Sequence, residues 1–151
     1  MTIYWAAPLF TQAERMWNRK CAVLLSQRGH TVKLPQDVSA SFIIDGSIDF
    51  SVLAEHCYRD ATTCDVVVAT LDGADSDSGT SLEVGLRLAS DRSQNRLPQI
   101  IGIRTDLRAS EDGGLNGMFR LIPEIITLSA TNEDPAVLCD LLHNALNRLK
   151  N

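Results

Sequence analysis

Two rhythms of hydrophobic and polar positions alternate along this chain. "TIYWA" (Thr2–Ala6) is an unbroken β-branched and aromatic run that predicts a strand. Thr11 followed three positions later by Glu14 has capping-box spacing. Behind it Ala13, Trp17, Cys21 and Leu24 recur at helical intervals to about Gln27, and Gly29 supplies a stop. "TVKLP" predicts a second strand closed by Pro35. Residues 36–48 hold no clean period and read as a loop long enough to be functional. Helical spacing returns from about Ile48 to Thr63. "DVVVATL" (Asp65–Leu71) is continuously apolar, as strands buried on both faces of a parallel sheet are. A helix over about Thr80–Ser90 follows, then a fourth strand in "PQIIGIRT", a glycine-rich loop in "EDGGLNG" and a fifth strand in "EIITLS". Asp134 as N-cap and Pro135 at the first helical position open a last helix, with Val137, Leu138, Leu141, Leu142, Ala145 and Leu149 turned inward.

Strands separated by helices imply right-handed βαβ units and a parallel sheet covered on both faces. The expected fold is α/β: one domain over residues 1–151, a flavodoxin-like or Rossmann-like three-layer sandwich with a five-stranded parallel sheet. Ligands in such sheets bind beyond the carboxyl ends of the strands, at the topological switch point. Ala6–Phe10, Asp72–Ser81, Thr105 and Asp106 therefore share one rim, and chemistry is expected there.

Composition narrows the classes without changing that picture. The chain is 44% hydrophobic and 22% charged, as an ordinary soluble globular protein is. A formal net charge of -5 and the absence of a Lys/Arg run argue against a nucleic-acid partner. "MTIYWAAPLF" has no basic segment and only a short apolar run, so neither a signal peptide nor a membrane span is expected. Cys21, Cys57, Cys64 and Cys139 form no CxxC pair and have no histidine at ligand spacing, which predicts reduced thiols in a cytoplasmic protein and no zinc site.

The candidate chemistry lies in "VVVATLDGADSDSGTSLEVG" (Val66–Gly85), where Asp72, Asp75 and Asp77 crowd one turn ahead of Glu83. Thr80 and Glu83 have a second capping-box spacing, so Glu83 has a purely structural reading: it reaches back to the helix start. In the functional reading the same carboxylate, in the first helical turn, is kept ionised by the helix dipole. Beside a second carboxylic acid it could then serve glycosyl transfer. The DxxDxD pattern could instead hold a divalent cation, although the EF-hand register fails for want of its glycine and final glutamate. No lysine makes "GADSDSGTS" a P-loop, and no GxGxxG is present.

"IYWAAPLFTQAE", "CDVVVATLDGADSDSGTSLEVG", "GIRTDLR" and "NGM" together resemble the nucleoside 2-deoxyribosyltransferase family, in order and spacing, from Thr2 to about Met118. The resemblance implies a flavodoxin-like protein that moves 2-deoxyribose between nucleobases without metal or organic cofactor. Glu83 matches the nucleophile that forms a covalent deoxyribosyl ester, and Asp77 the aspartate that binds the sugar hydroxyls. Tyr4 matches the tyrosine that orients the nucleophile, and Phe10 an aromatic that stacks on the base. Asn116 and Met118 match a pair that a neighbouring subunit inserts into the site. Ala6 and Gly79 complete the expected substrate-binding rim. The mechanism implied is ping-pong with retained configuration. Its partners are deoxynucleosides, free nucleobases and further copies of the chain, from dimer to hexamer, in nucleobase salvage.

Two positions depart from the family pattern. The base-protonating aspartate of some members lies eight residues before the aspartate opening the third strand. Counted from Asp65 that position is Cys57, a poor acid. Asp72 is the first alternative, with Asp37, Asp60 and bound water behind it. In "NGMFR", Phe119 and Arg120 stand where members more often have aliphatic residues. Gln36 and Asp37, after strand two, are candidate base-edge contacts. Two other functions stay open: a nucleotide 5'-monophosphate N-glycosidase, for whose phosphate "WAAPLFTQ" offers only Thr11, and a non-enzymatic nucleoside-binding module.

Overall fold

The computed structural model describes residues 1–38, 43–44, 47–106, 115–128, 132 and 134–149. In chain order they form β1 (Thr2–Ala6), α1 (Gln12–Gln27), β2 (Thr31–Lys33), α2 (Pro35–Val38), β3 (Ile43–Ile44), β4 (Ser47–Ile48) and α3 (Phe50–Thr63). Then come β5 (Val66–Thr70), α4 (Ser78–Ser93), β6 (Ile100–Arg104), a 3-10 turn (Gly117–Leu121), β7 (Glu124–Thr127) and α5 (Pro135–Arg148). Five parallel strands make one sheet in the order β2-β1-β5-β6-β7, the flavodoxin-like arrangement. Its switch point lies between β1 and β5, whose carboxyl ends Ala6 and Ala69 pair.

Alternation along β1 decides where its side chains go. Ile3 and Trp5 enter the core beneath α1 and α5, with Val66, Val68, Ile101, Ile103, Leu138 and Leu142. Tyr4 and Ala6 point the other way, into the core with Val67, Ala69, Leu71 and Val84 beneath α3 and α4. That parity is what brings Tyr4 to α4. Arg87, buried on α4, ties the helix to the end of α3 by donating to the carbonyls of Ala61, Cys64 and Asp65.

Several elements differ from expectation. Pro35 does not merely end β2: lacking an N–H and fixed near helical φ, it opens α2. Residues 36–48 therefore are not a plain loop, and β3 pairs antiparallel with β4. The sequence between those two strands, Asp-Gly, is a common hairpin signal. α3 starts at Phe50 because Asp49 caps it, accepting from the N–H groups of Ser51 and Val52. α4 runs longer than Thr80–Ser90 at both ends. On α5, Leu138, Leu142 and Ala145 are buried as expected, but Leu141 is exposed and Cys139 and Leu146 take inward places. The four cysteines are free thiols. The loop expected over "EDGGLNG" falls mostly outside the described residues. Among the described residues no helix is long and apolar enough to cross a membrane.

Candidate active site

The helix start after β5 is built by Asp77. Its carboxylate accepts from the Thr80 N–H at 2.9 Å and the Thr80 hydroxyl at 3.2 Å, making Asp77 the N-cap and Thr80 the third helical residue. The capping box expected from Thr80 and Glu83 is therefore absent, and Glu83 sits in the second turn rather than the first. Gly79 allows this arrangement: a Cβ there would lie 3.1 Å from the Asp77 carboxylate.

Freed from capping, Glu83 turns toward the sheet. The Tyr4 hydroxyl donates to its Oε1 at 2.6 Å, joining β1 to α4 across 79 positions of sequence. Burial pushes the Glu83 carboxyl up to about 7; the Tyr4 hydrogen bond opposes that rise and the nearby charge of Asp77 adds to it. The ionised form favoured by a helix dipole is thus not what governs this carboxylate: desolvation outweighs the dipole once the residue lies a turn inside. Burial, then the charge of Glu83, pushes the Tyr4 phenol far up, so it remains a donor. Cys57 on α3 adjoins the pair. Burial pushes its thiol up, a hydrogen bond with Tyr4 opposes this, and the charges of Glu83 and Asp60 add to it.

The three aspartates of the acidic turn do different things. Asp72 accepts from the backbone N–H groups of Thr105 (2.6 Å) and Asp106 (2.9 Å) and from the Thr105 hydroxyl, stitching β5 to β6. Gly73 returns the bond by donating its N–H to Asp106 at 2.9 Å. It has φ +109, and a Cβ there would come within 2.6 Å of the Asp75 carbonyl oxygen. Asp75 is exposed. The trio therefore does not converge as a cation site needs, and among the described residues no three His, Cys, Asp or Glu side chains do.

Three cavities surround this rim. One of about 320 Å³ is walled by Tyr4, Lys33, Asp37, His56, Cys57 and Asp60, with apolar residues of β2 and α2. One of about 540 Å³ at the switch point is lined by Ala7, Pro8, Trp17, Asn18, Thr70, Asp72 and Thr105. One of about 300 Å³ runs along α4 between Ser76, Ser81, Val84 and the 3-10 turn bearing Asn116 and Met118.

The structure brings Tyr4, Glu83, Asp77 and Gly79 together, with Ala6 buried at the end of β1. Other expected contacts stand apart. Phe10 and Met118 are 73% and 69% exposed, and Asn116 caps the 3-10 turn by accepting from the Met118 N–H. The Gln36 amide is engaged with the Arg15 carbonyl and the Asn18 side chain. Asp37 is held by both terminal nitrogens of Arg19. Lys33 and His56 wall the Tyr4 cavity although neither was singled out from sequence. The readable signal was His56 and Asp60 at i,i+4 on a helix beside Cys57.

The model of the family described as nucleoside 2-deoxyribosyltransferase matches residues 3–119. The chain belongs to the nucleoside 2-deoxyribosyltransferase family. Solved structures agree on the family's fold. A conserved protein from Enterococcus faecalis V583 superposes with TM-score 0.73 at 21% identity, covering 96% of this chain and 98% of that one. A 2-deoxyribosyltransferase from Bacillus psychrosaccharolyticus gives TM-score 0.58 at 21% identity, over 74% and 77% of the two chains. A CMP N-glycosidase from Clostridium botulinum gives 0.60 at 16% identity, over 96% and 99%. No curated protein matches the sequence. The solved structures that share this fold thus include a 2-deoxyribosyltransferase and a CMP N-glycosidase.

Proposed function

We propose that this protein transfers 2-deoxyribose between nucleobases through a covalent ester on Glu83. The observation that carries this reading is the short Tyr4–Glu83 hydrogen bond across the β1–α4 junction, beside a carboxyl raised to about 7. Near neutrality such a group is divided between its two forms, and its ionised form is poorly solvated and so nucleophilic. Tyr4 holds Oε1, leaving Oε2 to bond C1' as the glycosidic bond breaks. Reversal by a second base gives retention through two inversions. Asp77, fixed by Thr80, is placed for the sugar hydroxyls. Asn116 and Met118, presented outward, suit insertion into another copy's site in a homo-oligomer, where closure would keep water from the ester.

Hydrolysis of a nucleoside 5'-monophosphate fits less well. Of the first N–H groups of α4, a natural phosphate cradle, that of Thr80 already serves the Asp77 carboxylate, Asp75 adds like charge, and Thr11 is spent capping α1. Incubation with 2'-deoxyinosine and adenine, against a deoxynucleoside 5'-monophosphate alone, distinguishes the two. The transferase forms deoxyadenosine and leaves the monophosphate intact. A slow 2'-fluorinated nucleoside should add its sugar mass to the Glu83 peptide. A label on another residue, or none with exchange absent, ends this reading, and binding without product would mark a non-enzymatic module.

A further inference from the structure

Cleaving an N-glycosidic bond leaves negative charge on the departing base, and a positioned acid that neutralises it contributes roughly 10²–10⁴ in rate. The nearest acids are otherwise engaged. Asp72 has its oxygens taken by three donors. Asp37 is locked to Arg19. Asp60, buried, takes Lys33 Nζ at 2.6 Å on one oxygen and His56 on the other. Cys57 is a thiol pushed up by burial.

We propose that His56, held by Asp60, protonates the departing base and recovers the proton from the incoming one. The proposal rests on the Glu83 ester reading above. His56 walls the same cavity as Tyr4, whose hydroxyl grips Glu83. Its Nε2 lies 3.1 Å from Asp60 Oδ2, one helical turn on, so Nε2–H donates to a carboxylate that stabilises the imidazolium. Nδ1 is then the nitrogen that exchanges. Arg59, exposed, lies 3.4 Å from Nδ1, and an entering base would have to take its place there. Among the described residues, the other charged or titratable groups around this wall include Lys33 from β2, Asp37 from α2, Cys57 from α3, Tyr4 from β1 and, behind Tyr4, Glu83 from α4. In the first half-reaction Nδ1–H goes to a ring nitrogen of the base, the C1'–N pair stays with the base, and Glu83 bonds C1'. In the second, a nitrogen of the incoming base attacks C1', the ester pair returns to Glu83, and the base's N–H proton goes to Nδ1. Protons balance over the cycle.

The test reads the first half-reaction alone, as base released in a single turnover with no acceptor present, from two donors: 2'-deoxyinosine, and 7-methyl-2'-deoxyguanosine, whose base is already cationic and leaves neutral. His56→Ala should lower the deoxyinosine rate about 10²-fold or more and lower the 7-methyl rate much less. Equal loss on both donors, or no loss on deoxyinosine, overturns the proposal. The 7-methyl rate also reports that the variant is folded. Asp60→Asn, a positioning change, should lower kcat on deoxyinosine more than it alters KM. It should leave base release from the 7-methyl donor near the wild-type rate; an equal loss there counts against the dyad. Failure of the Glu83 reading shows separately, as wild-type protein that neither exchanges bases nor takes the fluorinated label.

Discussion

Helix α4 carries two sequestered carboxylates about two turns apart, and their surroundings are opposite. Asp91 is fully buried and over-provided: Arg87 Nε at 2.7 Å, Arg96 at 2.9 Å and the Gln99 N–H at 2.8 Å all donate to it. Arg87 in turn is consumed by carbonyls at the end of α3. Glu83 has one neutral donor among the described residues, Tyr4, and a like charge close by in Asp77. A carboxylate matched by two cations fixes the helix in place and has nothing left to offer. One that is desolvated and barely satisfied weakens the fold and keeps its lone pairs available. On the reading proposed above, the same helix holds one acid that builds and one kept reactive, as expected where function is set against stability.

The sharpest break of this comparison is to neutralise each acid. Glu83→Gln should cost at least about 10³-fold in base exchange, as loss of a nucleophile does. It should at the same time raise stability, with a definite sign. The folded protein holds the Glu83 proton up to about 7, against 4.5 for an ordinary carboxyl. Between those values the native state binds more protons than the unfolded one, so stability falls as pH rises and the cost is complete above about 7. The variant should therefore melt higher than wild type at pH 8, by about 1–3 kcal/mol, with the gap closing near pH 4.5. Equal melting at pH 8 would contradict the half-buried, under-satisfied carboxylate. Asp91→Asn should do the reverse. It leaves Arg87 buried without its counter-charge, costing about 3–5 kcal/mol, while molecules that remain folded exchange bases at the wild-type rate. Denaturant unfolding and active-site titration together decide it.

How much of this was legible in the sequence follows the same division. Asp65–Leu71 announced a strand buried on both faces, and Thr2–Ala6 another, because burial writes itself as continuous apolar runs; the parallel sheet followed. The pairing of Tyr4 with Glu83 was implied by family resemblance but not by local pattern, since 79 residues separate them. Local pattern misled at Thr80, where capping-box spacing was present but Asp77 won the cap. An aspartate accepts there as well as a threonine, and the helix simply began earlier. The raised Glu83 carboxyl was invisible for a related reason. Its cause is burial beneath residues distant in sequence, whereas the helix dipole, its opposing influence, is local and easy to read. The Lys33–Asp60–His56 cluster likewise joins β2 to α3 and needs the fold to be seen.

A smaller effect sharpens the role of Tyr4. Its hydrogen bond draws the Glu83 carboxyl down against burial. Tyr4→Phe keeps the packing and removes that pull, so the ascending limb of kcat/KM should move to higher pH by roughly one unit. The loss should be about tenfold below pH 7 and should narrow in alkaline buffer as Glu83 ionises regardless. A uniform loss at every pH would make Tyr4 a positioning group with no electrostatic part.

A matched pair of caps separates capping from chemistry. Asp77 and Asp134 are both N-caps, of α4 and α5, accepting respectively from the backbone N–H of Thr80 and of Ala136, each at 2.9 Å. Truncating either to alanine should cost about 1 kcal/mol of stability. Only Asp77 faces the proposed sugar site, so Asp77→Ala should also lower exchange by about 10²-fold through misplacement, while Asp134→Ala leaves exchange unchanged. Matched thermal shifts with unmatched rates would assign Asp77 both tasks. Matched shifts with matched rates would reduce it to a cap, and the sugar hydroxyls would then need another partner on the rim.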